Sequence, residues 1–301
     1  MHAGYQRRLR LAVGIATKGR PDLVCVIIGC LGKQTRAPDG VLVAAPDAAD
    51  VAGISGAGAA AAATWIPSPP GLTKQRNRIL REASRFDVVV FFDDDFLPHP
   101  TYLDELERLF LAHRDVVLAT GHVIADGIIG RGFRMDEAQQ FLDTDCGSSL
   151  DRCKLVDVYN GYGCNMAVRM SAVRESGVVF DENLPLYGWL EDVDFSRRLS
   201  RFGRIVLSAA ARGVHLGIKS GRQSGIRLGY SQIANPIYLV RKGSFAWFRA
   251  IWQMGRNVAM NIVFSLYSDP HVDRRGRLRG NVIAIRDLAL GQLQPERILV
   301  L

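Results

Sequence analysis

The chain has 301 residues, 48% of them hydrophobic, enough to bury a sizeable core in one large domain or in one domain with an appendage. No uninterrupted apolar run is long enough to cross a bilayer, and the basic start MHAGYQRRLRLAVGIATKGR lacks the apolar region and cleavage site of a signal peptide, which points to a cytoplasmic protein. A formal charge of +8 favours anionic partners such as nucleotide phosphates or anionic lipid, while no zinc finger, RRM or other nucleic-acid module is found, so nucleic acid is not expected.

In chain order, Leu9 to Ala16 reads as a buried strand and Pro21 to Leu31 as the following helix, with the proline in its first turn. Gly40 to Ala45 is a second strand. Ala52 to Ala63 is Ala/Gly-rich and reads as a helix or a loose connection, because three glycines weaken helix. A short strand at Thr64 to Ile66 meets Pro67, Pro69, Pro70 and Gly71, which force a loop before a helix over Thr73 to Arg85. The strand DVVVFF, Asp87 to Phe92, follows. Gly121 to Leu155 carries few signals and reads as loops or an insertion, and from Asn235 onward helix dominates. This β/α rhythm predicts a mostly parallel sheet with helices on both faces and ligands at the C-terminal strand ends. Five cysteines (25, 30, 146, 153 and 164) without zinc-ligand spacing are expected to be reduced thiols.

The most informative stretch is FFDDDFLPHP, where Asp93, Asp94 and Asp95 end the apolar strand. Three adjacent carboxylates repel one another unless something cationic compensates. Alternation puts Asp93 and Asp95 on one side and Asp94 on the other, so the outer pair can converge on one hard cation, Mg²⁺ or Mn²⁺ rather than Zn²⁺. A solvated acidic turn is the bland alternative, and it does not usually follow so apolar a strand directly.

Two helices carry polar residues on apolar stripes. On the helix from Thr73, Arg76 shares a face with Ile79, Leu80 and Ala83, which makes it a candidate phosphate clamp or a structural partner of one of the aspartates. In YGWLEDVDFSRRLSRFG the stripe Phe195, Leu199, Phe202 extends back to Asp192, so Asp192 is expected to point inward as a base while Glu191, Asp194 and Arg198 share a more exposed face. The alternative is that Glu191 and Asp192 merely complement the helix dipole.

In their order, VGIATKGRPDLV, Asp47 after the second strand, GLTKQRNRIL with its Arg76–Asn77 pair, FFDDD, GYGCNMAVR, WLED and His215 resemble a family 2 glycosyltransferase of the GT-A fold. The resemblance runs from about Leu11 to His215 and more loosely through the C-terminal helices. It implies an α/β, Rossmann-like, mixed but mostly parallel sheet flanked by helices. It further implies a catalytic domain over 1–230 and a helical extension over 231–301. By the same resemblance, Thr17, Arg20, Asp47, Arg76, Asp93 and Asp94 would bind the donor, and Asp95 and His215 would hold Mn²⁺ or Mg²⁺. Gly163, Cys164, Asn165, Trp189 and Glu191 would lie on the acceptor side, and Asp192 would be the general base.

The implied reaction is inverting transfer from a nucleoside-diphosphate sugar to a hydroxyl of a saccharide or lipid-linked saccharide, in cell-surface polysaccharide or glycolipid assembly. Asp192 would take the acceptor proton while the metal and Arg76 stabilise the leaving diphosphate. Lys18 departs from the family, where a polar Asn or Ser is common, and the QxxRW signature of processive synthases is missing. A sugar nucleotidyltransferase should instead open with a Gly-rich loop, which ATKGRPD is not. A non-catalytic nucleotide-sugar-binding protein would not need both the Asp triplet and Asp192, and a metal phosphoesterase would want more His and Asp ligands. The segment Ser244 to Tyr267 reads as a helix with a wide apolar face and a narrow stripe of Arg249, Gln253 and Arg256. Packing on the catalytic domain is its bland reading, and the aromatics and nearby arginines leave peripheral contact with the inner membrane face open.

Overall fold

The computed structural model describes residues 8–58, 62–145, 155–219, 224–267 and 272–301. Nine strands form one sheet in the order β3-β2-β1-β4-β8-β6-β9-β5, with β7 on β9. The N-terminal half alternates as its apolar runs predict: β1 (Leu11–Ala16), α1 (Pro21–Gly32), β2 (Gly40–Ala45), β3 (Ala63–Pro67), α2 (Leu72–Glu82) and β4 (Val88–Asp93). Strands β3, β2, β1 and β4 are parallel, with Ala16 registered against Asp93. The carboxylates of the triplet therefore emerge beside the β1–α1 loop. A short β5 (Phe96–Pro98), α3 (Tyr102–Ala112) and β6 (Val116–Asp126) follow, then α4 (Met135–Thr144) and β7 (Leu155–Asp157). The second half adds β8 (Asn165–Arg169), α5 (Met170–Ser176), α6 (Glu191–Leu199) and β9 (Arg204–His215). Strand β8 runs antiparallel between β4 and β6, which makes the sheet mixed.

Alternation along the strands divides the core into two layers. Leu11, Val13 and Ile15 pack with α1 and α3 on one face, whereas Ala12, Phe91 and Val168 pack with α2 and α6 on the other. In the second layer the Phe180 ring stacks on Phe195 at 4.2 Å and meets Phe91 edge-on at 5.6 Å. The C-terminal helices are α7 (Gly225–Lys242), α8 (Trp247–Ser265) and α9 (Arg274–Ala289). Helices α7 and α9 cross so closely that a Cβ on Gly229 would lie 2.0 Å from the Arg277 carbonyl oxygen. A buried amide network, Asn261 to Gln232 at 2.8 Å and to Asn281 at 2.9 Å, ties all three helices together. The expected division after residue 230 falls inside α7. No helix among the described residues is long and apolar enough to cross a membrane.

Two expectations change. Gly121 to Leu155 is not a signal-poor insertion: its start continues β6 through Asp126 and its middle is α4, both packed on β9. The long β6 hid its period, because three register shifts break the alternation. The Ala/Gly-rich segment Ala52 to Ala63 is the loose connection of the two readings, with one 3-10 turn at Ile54–Gly56, and residues 59–61 lie outside the described residues. Cys25, Cys30 and Cys164 are free thiols, while Cys146 and Cys153 lie outside the described residues.

Because Phe180 sits between two aromatic partners with 1% of its surface exposed, Phe180→Ala should cost about 3–5 kcal/mol, through lost burial plus the cavity left behind. Urea unfolding of the two proteins measures this, and a loss under about 1 kcal/mol would show that the layer collapses around the gap.

Candidate active site

A cleft of about 570 Å³ opens at the C-terminal ends of β1 and β4, lined by the β1–α1 loop (Thr17, Lys18, Gly19, Arg20), Asp93 to Asp95, His215, and Leu186 and Tyr187. Ser224 and Arg227 at the start of α7 complete the lining, so the C-terminal helices contribute to the site.

The triplet divides its partners as strand alternation predicts. Asp94 turns to the β1–α1 loop, where Thr17 Oγ1 donates to it at 2.7 Å and the Arg20 guanidinium lies 3.2 Å away. Asp93 and Asp95 turn to His215, and one ligand atom from each of the three lies within 4.8 Å of the others. His215 Nδ1 is 2.8 Å from Asp126 Oδ1, which aims Nε2 at Asp95, 3.4 Å away, and Tyr162 donates to the second Asp126 oxygen at 2.9 Å. Two carboxylates and an imidazole suit a divalent transition ion such as Mn²⁺ better than Mg²⁺, which prefers an all-oxygen shell. The buried carboxylates that otherwise repel one another are the sign that a cation fits.

Electrostatics sort these groups. Burial raises the Asp94 carboxyl to about 7, against the pull of Arg20 and Thr17. Burial would raise Asp95 too, but the hydrogen bond and charge of His215, together with Arg20, more than offset it and hold Asp95 below the usual range. Burial opposes charge on His215, yet Asp126 and Asp95 raise it to about 10, so without metal an imidazolium stands in for the cation.

Beneath the cleft lies a second cluster. Arg76 is 1% exposed, with the Phe91 and Phe180 rings 5.8 and 5.5 Å from its guanidinium centre. It donates to Asp93 at 2.9 Å, to the Gly163 carbonyl at 2.7 Å and to Glu191. Its neighbour Asn77 clasps the backbone of Phe180 from both sides, at 2.9 and 2.8 Å. The Arg-Asn pair is therefore a structural clasp between α2 and the 180–191 segment, and Arg76 does not line the cleft.

The expected phase of α6 is reversed. Glu191 and Asp194 are buried, Glu191 under Arg76, and Asp194 against Lys242 and Ser244 at 2.9 and 2.6 Å. Asp192 is the half-buried member. Helix α7 and the turn after it cover the face that looked solvated, which no period within α6 could reveal. Burial and the Asp192 charge raise the Glu191 carboxyl against Arg76. Asp192 is also raised by burial, and it accepts from Gly163 N–H at 3.1 Å and Val193 N–H at 2.8 Å.

Several expected acceptor and donor residues sit elsewhere. The Asn165 side chain is wholly buried, held by Thr120 at 2.6 Å and the Gly121 carbonyl at 3.1 Å, and Cys164 is in the core. Glu191 is spent on Arg76. Trp189 packs toward Leu239 and Phe245, and the aromatic ring in the cleft is that of half-exposed Tyr187. Asp47 is exposed at the end of β2, outside the cleft lining, while its neighbour Asp50 accepts from Gly19 N–H at 2.6 Å and shapes the β1–α1 loop. Sequence reasoning missed Asp126, Tyr162, Tyr187 and Arg227. Asp126 ends the strand that was read as an insertion, and Tyr187 and Arg227 arrive from loops and helices distant in the chain.

The geometry has known counterparts. No protein-family model and no curated protein matches the sequence. Solved structures do. S. aureus TarS 1-349 in complex with UDP-GlcNAc is 16% identical with a TM-score of 0.56, covering 96% of this chain and 83% of that one. The mannosyltransferase PcManGT from Pyrobaculum calidifontis in complex with GDP-Man and Mn²⁺ is 15% identical at 0.55, covering 97% and 83%. The chain has the GT-A fold. GalNAc-T7 with UDP, GalNAc and Mn²⁺ is 13% identical at 0.53, covering 88% of this chain and 59% of that one, and the chain spans 44% of the longer TarS structure.

Asp94 and His215 both bind protons more tightly in the folded chain. Such groups stabilise the fold fully below their unfolded pKa and lose that contribution as pH rises to the folded value, from 3.8 to about 7 for Asp94 and from 6.5 to about 10 for His215. The metal-free protein should therefore melt at a lower temperature near pH 9 than near pH 6, and Mn²⁺ should narrow the gap by replacing the lost positive charge. A melting temperature that stays level or rises over that range contradicts the assignment.

Proposed function

We propose that the chain is a metal-dependent, inverting glycosyltransferase that moves a sugar from a nucleoside-diphosphate sugar to a hydroxyl of a saccharide or lipid-linked saccharide, in cell-surface polysaccharide or glycolipid assembly. The observation that carries the reading is the convergence, in one cleft of a GT-A fold, of the Asp93, Asp95 and His215 ligand set with the cationic Lys18, Arg20 and Arg227. Mn²⁺ would be held by Asp95 and His215 with Asp93 beside it, and when bound it supplies positive charge for a diphosphate leaving group. The solved neighbours with bound nucleotide sugars support the same reading.

In this mechanism, Lys18, Arg20 and Arg227 neutralise the donor phosphates from the open side. Thr17 and Asp94 hold the β1–α1 loop that carries two of those cations. Tyr187 offers a ring to a sugar face. Glu191 cannot serve as base because Arg76 holds it. Asp192 can: its two oxygens are oriented by backbone amides, it carries no direct salt bridge among the described contacts, and burial raises its basicity. It takes the acceptor proton as that oxygen attacks the anomeric carbon opposite the leaving group, which inverts the configuration. Arg76, though sealed from the cleft, keeps Asp93 and Glu191 in place. The chain divides in this reading into a catalytic part, 1–230, and an extension, 231–301, joined through α7, whose start brings Ser224 and Arg227 to the cleft.

Incubation with UDP- and GDP-sugars plus Mn²⁺ and a hydroxyl acceptor tests the reading. A glycoside of opposite anomeric configuration and a nucleoside diphosphate are expected. Pyrophosphate would point to a nucleotidyltransferase, and binding without turnover to a nucleotide-sugar-binding protein.

Asp192→Asn should keep Mn²⁺-dependent binding of nucleoside diphosphate and the parent melting temperature, yet lose transfer by about 10²-fold or more. Asp95→Asn should instead lose the metal-dependent binding itself in a calorimetric titration. Glu191→Gln should show chiefly in unfolding, by about 3–5 kcal/mol, because it strips a partner from a buried arginine. Full transfer by Asp192→Asn would remove that residue from the mechanism.

A further inference from the structure

We propose that the outward face of α8 docks the protein on an anionic phospholipid bilayer. One side of this helix packs as expected, through Ala250, Met254, Val258 and Asn261, and leaves the opposite side uncovered. Trp247 is 66% exposed, Trp252 65% and Leu266 80%, and Phe248, Ile251 and Val263 are also exposed, whereas only Ala250 and Asn261 of the helix are buried. The bundle side of α8 therefore carries Ala250, Met254, Val258 and Asn261, while most of its large apolar side chains face outward, more than a helix on a water-soluble surface usually exposes. A contiguous apolar surface of this kind marks an interaction site.

Charge selects the occupant. Helix α8 contains no Asp or Glu, and its two arginines lie against the aromatics, Arg256 4.9 Å from the Trp252 ring and Arg249 5.8 Å from that of Phe248. The start of α9 adds Arg274, 5.6 Å from the Phe264 ring, and exposed Arg275, which donates to the Ser265 carbonyl. Among the described residues, the nearby acids have partners: Asp273 caps α9 and Asp287 accepts from Tyr230. A second copy docked by a two-fold axis would bring this face against itself, arginine toward arginine with no carboxylate to pair. An anionic bilayer answers both parts, since its headgroups take the arginines and its interface takes tryptophan and aliphatic side chains from a helix lying in the membrane plane.

The surface is also coupled to the cleft. Leu186, which lines the cleft, packs in the cluster formed by Tyr230, Ile233, Met254 and Val258, the last two from α8. Docking through α8 would therefore set the cleft close to the bilayer, where a lipid-linked acceptor presents its hydroxyl. The docking itself stands independently of the sugar-transfer reading.

The test is co-sedimentation of the full chain with vesicles of phosphatidylglycerol and phosphatidylcholine in equal parts, against vesicles of phosphatidylcholine alone, with tryptophan emission recorded in parallel. Binding to the anionic vesicles, a blue shift, and release by high salt are expected. The double variant W247S/W252S should lose both binding and the blue shift. R256Q/R275Q should bind about 25-fold more weakly, at about fivefold per arginine near a charged surface. All four positions are exposed, so unchanged melting temperatures are expected and separate lost docking from lost folding. Failure to sediment with anionic vesicles at low salt overturns the proposal, as does equal binding by W247S/W252S. A dimer in sedimentation equilibrium that W247S/W252S dissolves, in a protein that ignores vesicles, overturns it in favour of a second copy.

Discussion

The site depends on one buried guanidinium. Moving an arginine out of water costs several kcal/mol unless its donors and charge are met in good geometry. Arg76 meets them with Asp93, Glu191 and the Gly163 carbonyl, and two aromatic faces fill the remaining space. These partners come from the end of β4, the start of α6 and the turn before β8, elements far apart in the chain. A misplacement of any one strands a charge in the core. The cluster therefore fixes the angle of α2 and the path of the 180–191 segment as firmly as apolar packing does. Asn77, one residue on, repeats the logic with neutral groups by satisfying both the N–H and the carbonyl of Phe180.

Given that anchor, the remaining carboxylates sort into roles by what is left to neutralise them. Glu191 is consumed by Arg76, and Asp94 by Thr17 and Arg20. Asp93 and Asp95 share an imidazolium, itself steadied by Asp126 and Tyr162, in the place a divalent ion fits. Asp192 alone keeps a partly open carboxylate supported by amide donors rather than by a cation. Adjacent residues thus acquire different surroundings: Glu191 is held by the Arg76 cation and Asp192 by backbone amides. The outcome is set by which side chain reaches Arg76.

Much of this was legible because it is local. The apolar strands, the proline-punctuated loop, the triplet's alternation and the ordered motifs all lie within short windows, and β1 to β4 follow them closely. The legible part of the site was the triplet with His215. What failed was non-local. The phase of α6 depends on Lys242 and Ser244, which arrive some fifty residues later to neutralise and cover Asp194. Asp126 was hidden because β6 shifts register three times, so its inward and outward residues do not alternate. Arg76 was left between a phosphate clamp and a structural partner of an aspartate, because an inward arginine beside acids looks the same in sequence either way, and its bond to Asp93 is the second of these.

The C-terminal helices are more than an appendage, and the 184–190 segment shows why. It is pinned on one side to α2, where Leu72 N–H and Thr73 Oγ1 donate to the carbonyls of Leu186 and Leu184 at 2.8 and 3.2 Å. On the other side Asn235 of α7 donates to the Trp189 carbonyl at 2.7 Å, and Leu186 packs toward α8. Between these anchors Leu186 and Leu190 are held at φ of +59° and +74°, a left-handed backbone that costs a branched residue about 1–3 kcal/mol each. Such a conformation persists only where its surroundings over-determine it. The strained segment delivers Tyr187 to the cleft and Glu191 to Arg76 at the same time. The apolar layer beneath α8 thus bears on the ligand side of the molecule, and removing the extension would release the segment that shapes one wall of the cleft.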